Sequence, residues 1–513
     1  MKGSVIILCF LLVWSVQAAA AASKAAPTLK GRKQQSEEKK GKKVTKKGKT
    51  WIAFCGADNR LTTTMYSYAG MSKKASYFNR IASFQVCSLL HPTCNTSETT
   101  AAELVSPSGD GKTLVYSDSP RRTVGFIDIE IPNQPIGLGV VPLSGEPTSV
   151  TTCKDYAFVV VNESPDFVNV TGSWHVINIT SQEVLRTGPL PGQPDSAAWS
   201  ANCQTVVVAI ENERNEDILN GTIPQLPAGS IVFVDTSSAD VQMWSVSEVN
   251  ITGLPGVLAS EDPEPEFVSI NADGIAVVTL QENNAMVLID TKTGAILNSF
   301  SAGSVSLQAI DVAEEGVINQ TASLESVPRE PDGVAWLNTK YFATADEGDF
   351  LGGSRGFTIF DTVGNVVYTS GSTMDHMAAR VGHYPEGRSG NKGNEPENIA
   401  FGIYGDDHLM FVNSERSSLV FVYDVANPAS PVLLQVLPAG TGPEGGYAMP
   451  KRDLFLVASE VDDRGDKIRA VVNIYARGKH TVYTRHVSPA KPTFCYNRRR
   501  RTRLPHLIVR QPA

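Results

Sequence analysis

One motif, repeated seven times along the 513-residue chain, constrains the fold more than any other feature. Its clearest copy is residues 264–290, EPEFVSINADGIAVVTLQENNAMVLID. This reads as three short strands, 267–270, 275–280 and 286–290, rich in β-branched residues. Asn271-Ala272-Asp273-Gly274 forms the first turn and Gln281 to Asn284 the second, because Asn, Asp and Gly tolerate tight backbone. The unit opens on Glu264 and Glu266 and carries another acid, Glu282, after its second strand. Equivalent openings occur at 102–105, 146–150, 193–197, 330–334, 395–399 and 442–445. A third strand follows in every unit, and a weaker fourth usually follows it, as at 432–436. Seven small antiparallel sheets in tandem predict an all-β chain, a seven-bladed β-propeller. The apolar stretch 81–86 precedes the first unit and is expected to complete the last blade. Longer gaps mark insertions at 212–229, 298–328 and 372–393, the last carrying His376, His383 and Arg388.

The ends differ from this body. Residues 1–22 hold an apolar run followed by small residues, the pattern of a secretory signal peptide. Residues 23–50 are Lys-rich and nearly devoid of apolar side chains, so they read as a disordered basic arm or linker. Residues 488–513 form a second basic segment, and 75–487 is the expected propeller. The whole chain carries a formal net charge of −8. With both ends basic, the body is more acidic than that total. An acidic folded body excludes a nucleic-acid reader, which needs a basic face. It suits a protein that meets cations, while the basic ends suit an anionic matrix or mineral surface. No transmembrane segment is expected.

Sequons stand at Asn95, Asn169, Asn178, Asn220, Asn250 and Asn319. A further one, at Asn162, is weakened by the Pro after its Ser. With the signal peptide, they point to a secreted or cell-surface glycoprotein. One of seven cysteines, Cys9, leaves with the signal peptide. Cys153 and Cys203 occupy the same turn of consecutive units, which lie side by side in a propeller, so they are predicted to pair. Cys87 with Cys94 is a second expected disulfide, and Cys55 with Cys495 the remainder.

The run at 264–290, with REPDGVAW, ATADEGD, RSGNKGNEPENIAFG, FVYDVANPASPV and GPEG, resembles the choice-of-anchor I family over about residues 75–476. Members include exported bacterial proteins and mesenchyme-specific cell-surface glycoproteins of skeleton-forming cells. The resemblance implies a propeller of the YVTN and haem-d1-like type, exported and often surface-attached. For some members it implies a link to biomineralisation, for others a phosphatase- or phytase-like esterase activity. The chain departs from the pattern in lacking an apolar C-terminal tail suited to a lipid anchor.

Propeller geometry gives the acids a common place. The inner strand of each blade starts on the face where the second strand ends. The opening acids Glu146, Asp195, Glu264, Glu266, Glu330, Asp332, Glu395, Glu397 and Glu444 should therefore ring one mouth of the central channel. The strand-end acids Asp118, Glu163, Glu211, Glu282, Glu347, Glu415 and Glu460 should form a second ring there. Hard oxygen ligands in such number suit Ca²⁺, and Mg²⁺ less well. The expectation is an extracellular-matrix or biomineralisation-type protein whose acidic face binds divalent cations. A metal-dependent phosphoesterase is the alternative, with Arg329, Arg355, Arg388 and Lys392 beside the acids to meet phosphate. A protein-interaction scaffold is the third. The body shows no G-x-S-x-G elbow and no zinc spacing.

Overall fold

The computed structural model describes residues 76–479, apart from 464 and 466. The signal peptide, the basic arm, Cys55, Cys495 and the C-terminal tail lie outside the described residues.

Seven four-stranded antiparallel sheets follow one another along the chain. Blade 1 covers 105–142, blade 2 146–190, blade 3 194–249, blade 4 265–301, blade 5 334–369 and blade 6 396–438. Blade 7 takes three strands from 443–479, and its outermost strand is Ser76–Gln85, paired antiparallel with Val471–Lys479. Ser76–Gln85 therefore closes the ring, as expected for 81–86, with a longer strand than the sequence suggested.

The second and third strands of each blade are buried along their length, as in Ile275–Leu280 and Ala285–Asp290. The fourth alternates toward solvent, as in Val432–Pro438. This follows from blades packing face to face, which hides both sides of the middle strands. The apolar residues accordingly form seven clusters, one at each interface between neighbouring blades. The interface of blades 6 and 7 is stacked most closely, with the Phe411 and Phe455 ring centroids 3.9 Å apart.

Both expected disulfides are present. Cys153 and Cys203 join blades 2 and 3 with Cα atoms 6.0 Å apart, and Cys87–Cys94 closes a short loop. The 298–328 insertion begins later than the sequence suggested, because Ile296–Ser301 is the fourth strand of blade 4. A hairpin, Ser304–Ile310 with Ala322–Pro328, follows it. The 372–393 segment contains helix α1 (Thr373–Val381).

Topology puts all these insertions on one face, where inner strands begin and second strands end. The sequon residues Asn95, Asn169, Asn220, Asn250 and Asn319 lie on that face and are exposed. Asn178 lies at the opposite end, half-buried, its amide donating to Asp155 Oδ2 at 3.0 Å. No helix among the described residues is long and apolar enough to cross a membrane.

Candidate metal centre at the channel mouth

Pairing register decides which residue reaches the channel. In blades 2, 3, 4, 6 and 7 the opening Pro pairs with the end of the second strand: Pro147 with Val161, Pro194 with Ile210, Pro265 with Leu280, Pro396 with Ser414 and Pro443 with Ser459. The register slips just after each Pro. Pro has no N–H to give the ladder, so a bulge there sacrifices no donor. The first residue of each slip is Thr148, Asp195, Glu266, Glu397 and Glu444. Blades 1 and 5 begin their ladders at Val105 and Val334, so Glu103 and Asp332 take the same place. Six carboxylates and one threonine thus crown a cavity of about 400 Å³ that is walled by the inner strands of all seven blades, from Ser106 to Gly446.

The inner strands approach closely here. Gly333 N–H donates to Glu397 O at 3.2 Å and Gly445 N–H to Glu103 O at 2.8 Å. A Cβ on Gly445 would come within 2.6 Å of that same oxygen, so the contact requires glycine. Ser196 makes the corresponding link through its hydroxyl, 2.6 Å from Glu266 O.

The residue that follows the partner of the opening Pro, or the equivalent place in blades 1 and 5, is Ser119, Asn162, Glu211, Gln281, Glu347, Glu415 and Glu460 in blades 1 to 7. Three of these glutamates wedge between the opening acids of their own blade and the next. Glu211 meets Asp195 and Glu266, Glu347 meets Asp332 and Glu397, and Glu415 meets Glu397 and Glu444. Each residue in a trio offers one oxygen within 4.8 Å of the others. Glu347, Glu395 and Glu415 form a fourth trio. Glu460 follows the same rule electrostatically, since its charge acts on both Glu444 and Glu103. Where the position is Ser119, Asn162 or Gln281, the described residues form no trio.

Burial and mutual repulsion push these carboxyls up. Glu211, Glu266, Asp332, Glu397 and Glu444 are held well above the usual carboxylate range, first by burial and then by neighbouring acids. Burial raises Asp195 and Glu103 to about 7, and Glu415 to about 8 against the opposing pull of Arg416. The acids also act across the ring: Asp195 raises Asp332, and Asp332 raises Glu444.

The acids before the Pro serve another purpose. Glu330 accepts the backbone N–H groups of Asp349, Phe350 and Leu351 at 2.8, 2.8 and 2.6 Å. Glu395 is held by Arg388 Nε at 2.7 Å and Arg416 Nε at 2.6 Å. Glu264 accepts from Arg214 N–H at 3.3 Å. All three are fully buried. Glu146, by contrast, is exposed near Arg122.

Counting from the sequence end of the second strand misplaced three acids. Glu282 lies one residue past the channel position and pairs instead with Arg214 Nη1 at 2.5 Å. Glu163 is likewise one residue past and accepts from Ser173 Oγ at 3.1 Å. Asp118 falls one residue short and accepts from Ala101 N–H at 3.0 Å. Of the predicted ligands, Glu211, Glu266, Asp332, Glu347, Glu395, Glu397, Glu415 and Glu444 come together. Glu163, Glu264, Glu282 and Glu330 do not join a trio, and Glu460 adjoins them.

Of the three phosphate-neutralising arginines, Arg388 meets Glu395 but the other two are placed otherwise. Arg329 is buried against Thr358 Oγ1 and Ala302 O, and Arg355 against Asp311 O and Ser389 O. In the 372–393 insertion, His376 Nε2 lies 2.6 Å from Ala309 O and His383 Nδ1 3.1 Å from Ser417 O.

Besides Arg388 and Arg416, two more cations lie beside the acids. Lys392 Nζ lies 3.4 Å from both Glu347 and Asp349. Arg214, carried by the 212–229 insertion, binds Glu282, Glu216 and Asp349. Sequence reasoning missed Arg214 and Asp349, since neither belongs to the repeat.

The two sharpest sequence motifs now have reasons. In LQENNA, Asn283 Oδ1 accepts Glu264 N–H at 2.8 Å, and Asn284 Oδ1 accepts Glu330 N–H at 2.9 Å. Two adjacent amides thereby seat the openings of two successive blades. In NKGNEPE, buried Asn394 donates to Arg355 O and Asp375 Oδ1 and accepts from Ser414 Oγ.

The choice-of-anchor I domain model matches residues 107–352 and 350–428. Among solved structures, the chain is similar in fold to the RRP9 WD40 repeats, at TM-score 0.52 and 10% identity, over 74% of this chain and 96% of that one. It is similar also to U3-55K, at TM-score 0.51 and 10% identity, over 74% and 97%. Likeness at this identity concerns the fold alone. No curated protein matches the sequence significantly.

Proposed function

The chain belongs to the choice-of-anchor I family, and from that premise we propose that its acidic channel mouth binds divalent cations, calcium foremost, at the cell surface or outside the cell. A surface-anchored β-propeller is the setting that membership supports. The observation that carries the cation reading is the wedge pattern: a strand-end glutamate between two opening acids, repeated at three blade junctions. Oxygens within 4.8 Å of one another are close enough to ligate one divalent ion, and calcium accepts carboxylates in such number with flexible geometry. Magnesium holds its ligands closer, in strict octahedral geometry and with several waters retained. Carboxyls pushed this far up remain partly protonated without a cation, so an ion that replaces the protons relieves their repulsion.

The exposed sequons on the same face support the reading as a glycoprotein. The basic arm and tail, which lie outside the described residues, are proposed to tether the acidic body to anionic matrix or mineral. Such contacts should weaken with salt.

Calorimetric titration of the chelator-stripped full chain with Ca²⁺ tests the proposal. Saturable uptake accompanied by proton release is expected. Uptake no greater than that of an unrelated acidic protein would refute it.

A further inference from the structure

The four trios are not equivalent, and their difference assigns the ion a place. This inference rests on the cation-binding reading above. The trio of Asp332, Glu347 and Glu397 includes Glu347, which Lys392 and Gln281 already engage. The trio of Glu397, Glu415 and Glu444 includes Glu415, paired with Arg416. In the trio of Glu347, Glu395 and Glu415, every member has a cationic partner.

Asp195, Glu211 and Glu266, at the junction of blades 3 and 4, are different. Among the described residues, no lysine or arginine pairs with any of the three. Glu211 is only 8% exposed and Glu266 only 9%, yet no protein donor reaches either carboxylate. Glu211 and Glu266, each more than nine-tenths buried as a residue, turn their carboxylates toward a third acid with neither donor nor counter-charge from the protein, which leaves their compensation to whatever fills the channel mouth.

We infer that Asp195, Glu211 and Glu266 form the tight divalent-cation site of this propeller, one ion at the junction of blades 3 and 4. The acids of blades 5 to 7, already matched in part by Lys392, Arg388 and Arg416, take up further ions weakly. The tight site has two carboxylates from inner strands, those of blades 3 and 4, and a third from the residue that follows the second strand of blade 3. An ion there ties two blades together.

The test is a Ca²⁺ titration of the full chain by calorimetry, with Glu211→Gln, Glu266→Gln and Glu444→Gln beside the wild type. Gln keeps the shape and mimics the protonated acid, and a melting curve for each variant in chelator checks that it is folded. The wild type should show one tight site followed by weak uptake. Glu211→Gln and Glu266→Gln should each weaken the tight site by about tenfold or more, since affinity follows the ligand charge count. Glu444→Gln should diminish only the weak uptake. Loss of the tight site in Glu444→Gln, with Glu211→Gln retaining it, would overturn the assignment and leave the cation reading standing. Equal weakening in all three variants would replace a single site with a shared ring and overturn it as well. If the wild type binds no Ca²⁺, the cation reading itself fails.

Discussion

Gln281 donates its side-chain amide to Glu347 at 2.8 Å, crossing from blade 4 to blade 5. Gln281 occupies the position that Glu211, Glu347, Glu415 and Glu460 hold in other blades, so an amide stands where the pattern elsewhere puts an acid. The junction between Glu266 and Asp332 is therefore neutral at its centre. Changing Gln281→Glu should complete a trio there. In chelator the variant should melt below the wild type, because it loses a hydrogen bond to a charged group, about 1.5–3 kcal/mol, and adds repulsion. In excess Ca²⁺ it should bind additional calcium. Calorimetry with and without chelator reads both effects, and unchanged stoichiometry would show that the wedge position does not select for ions.

The raised carboxyls set a pH dependence. Asp195 and Glu103 titrate at about 7 in the fold and Glu415 at about 8, against ordinary values of 3.8 for Asp and 4.5 for Glu. The unfolded chain gives up these protons at lower pH than the folded one does. The stability they contribute is full below about pH 4 and is lost as pH rises through about 7 to 8. The cation-free melting temperature should therefore fall across that window. Because calcium needs the ionised form, its stabilising shift should grow over the same range. Melting curves in chelator and in Ca²⁺ at pH 5, 6, 7 and 8 would check both slopes.

The repeat made the blades and the opening acids readable, because strand, turn and acid recur at the same offsets. The strand-end acids were read less well. Glu282, Glu163 and Asp118 each differ by one residue from the channel position, and a shift of one reverses the side of a strand. For Glu282 and Glu163, pairing the opening Pro with the second strand corrects the count, since Pro265 faces Leu280 and Pro147 faces Val161. Arg214, Asp349 and the buried roles of Arg329 and Arg355 carried no periodic signal. They depend on how insertions lie over the mouth, which is set by tertiary packing rather than by local pattern.

Asn283 is a single buried side chain on which three backbone groups depend. It accepts from Glu264 N–H and donates to Leu258 O and Asp262 O at 2.8 and 2.9 Å. Asn283→Ala should strand all three and lower stability by roughly 2–4 kcal/mol. Asn283→Asp keeps the acceptor but loses both donors and adds a charge beside Glu264, so it should not rescue. Denaturant unfolding of both variants measures the loss.

Ring closure predicts a large effect on the closing strand. Phe78, on the closing strand, is fully buried with its ring centroid 5.2 Å from those of both Tyr404 and Phe411 of blade 6. Phe78→Ala should cost about 3–5 kcal/mol. If unfolding were unaffected, the closing strand would not be part of the cooperative fold.

The most direct measurement of the cation claim is anomalous diffraction from crystals grown with calcium. A peak is expected at the channel mouth between blades 3 and 4, about 2.3–2.6 Å from carboxylate oxygens of Asp195, Glu211 and Glu266. A map in which calcium sits only on the outer surface, with the three carboxylates bonded to one another or to water alone, would contradict it.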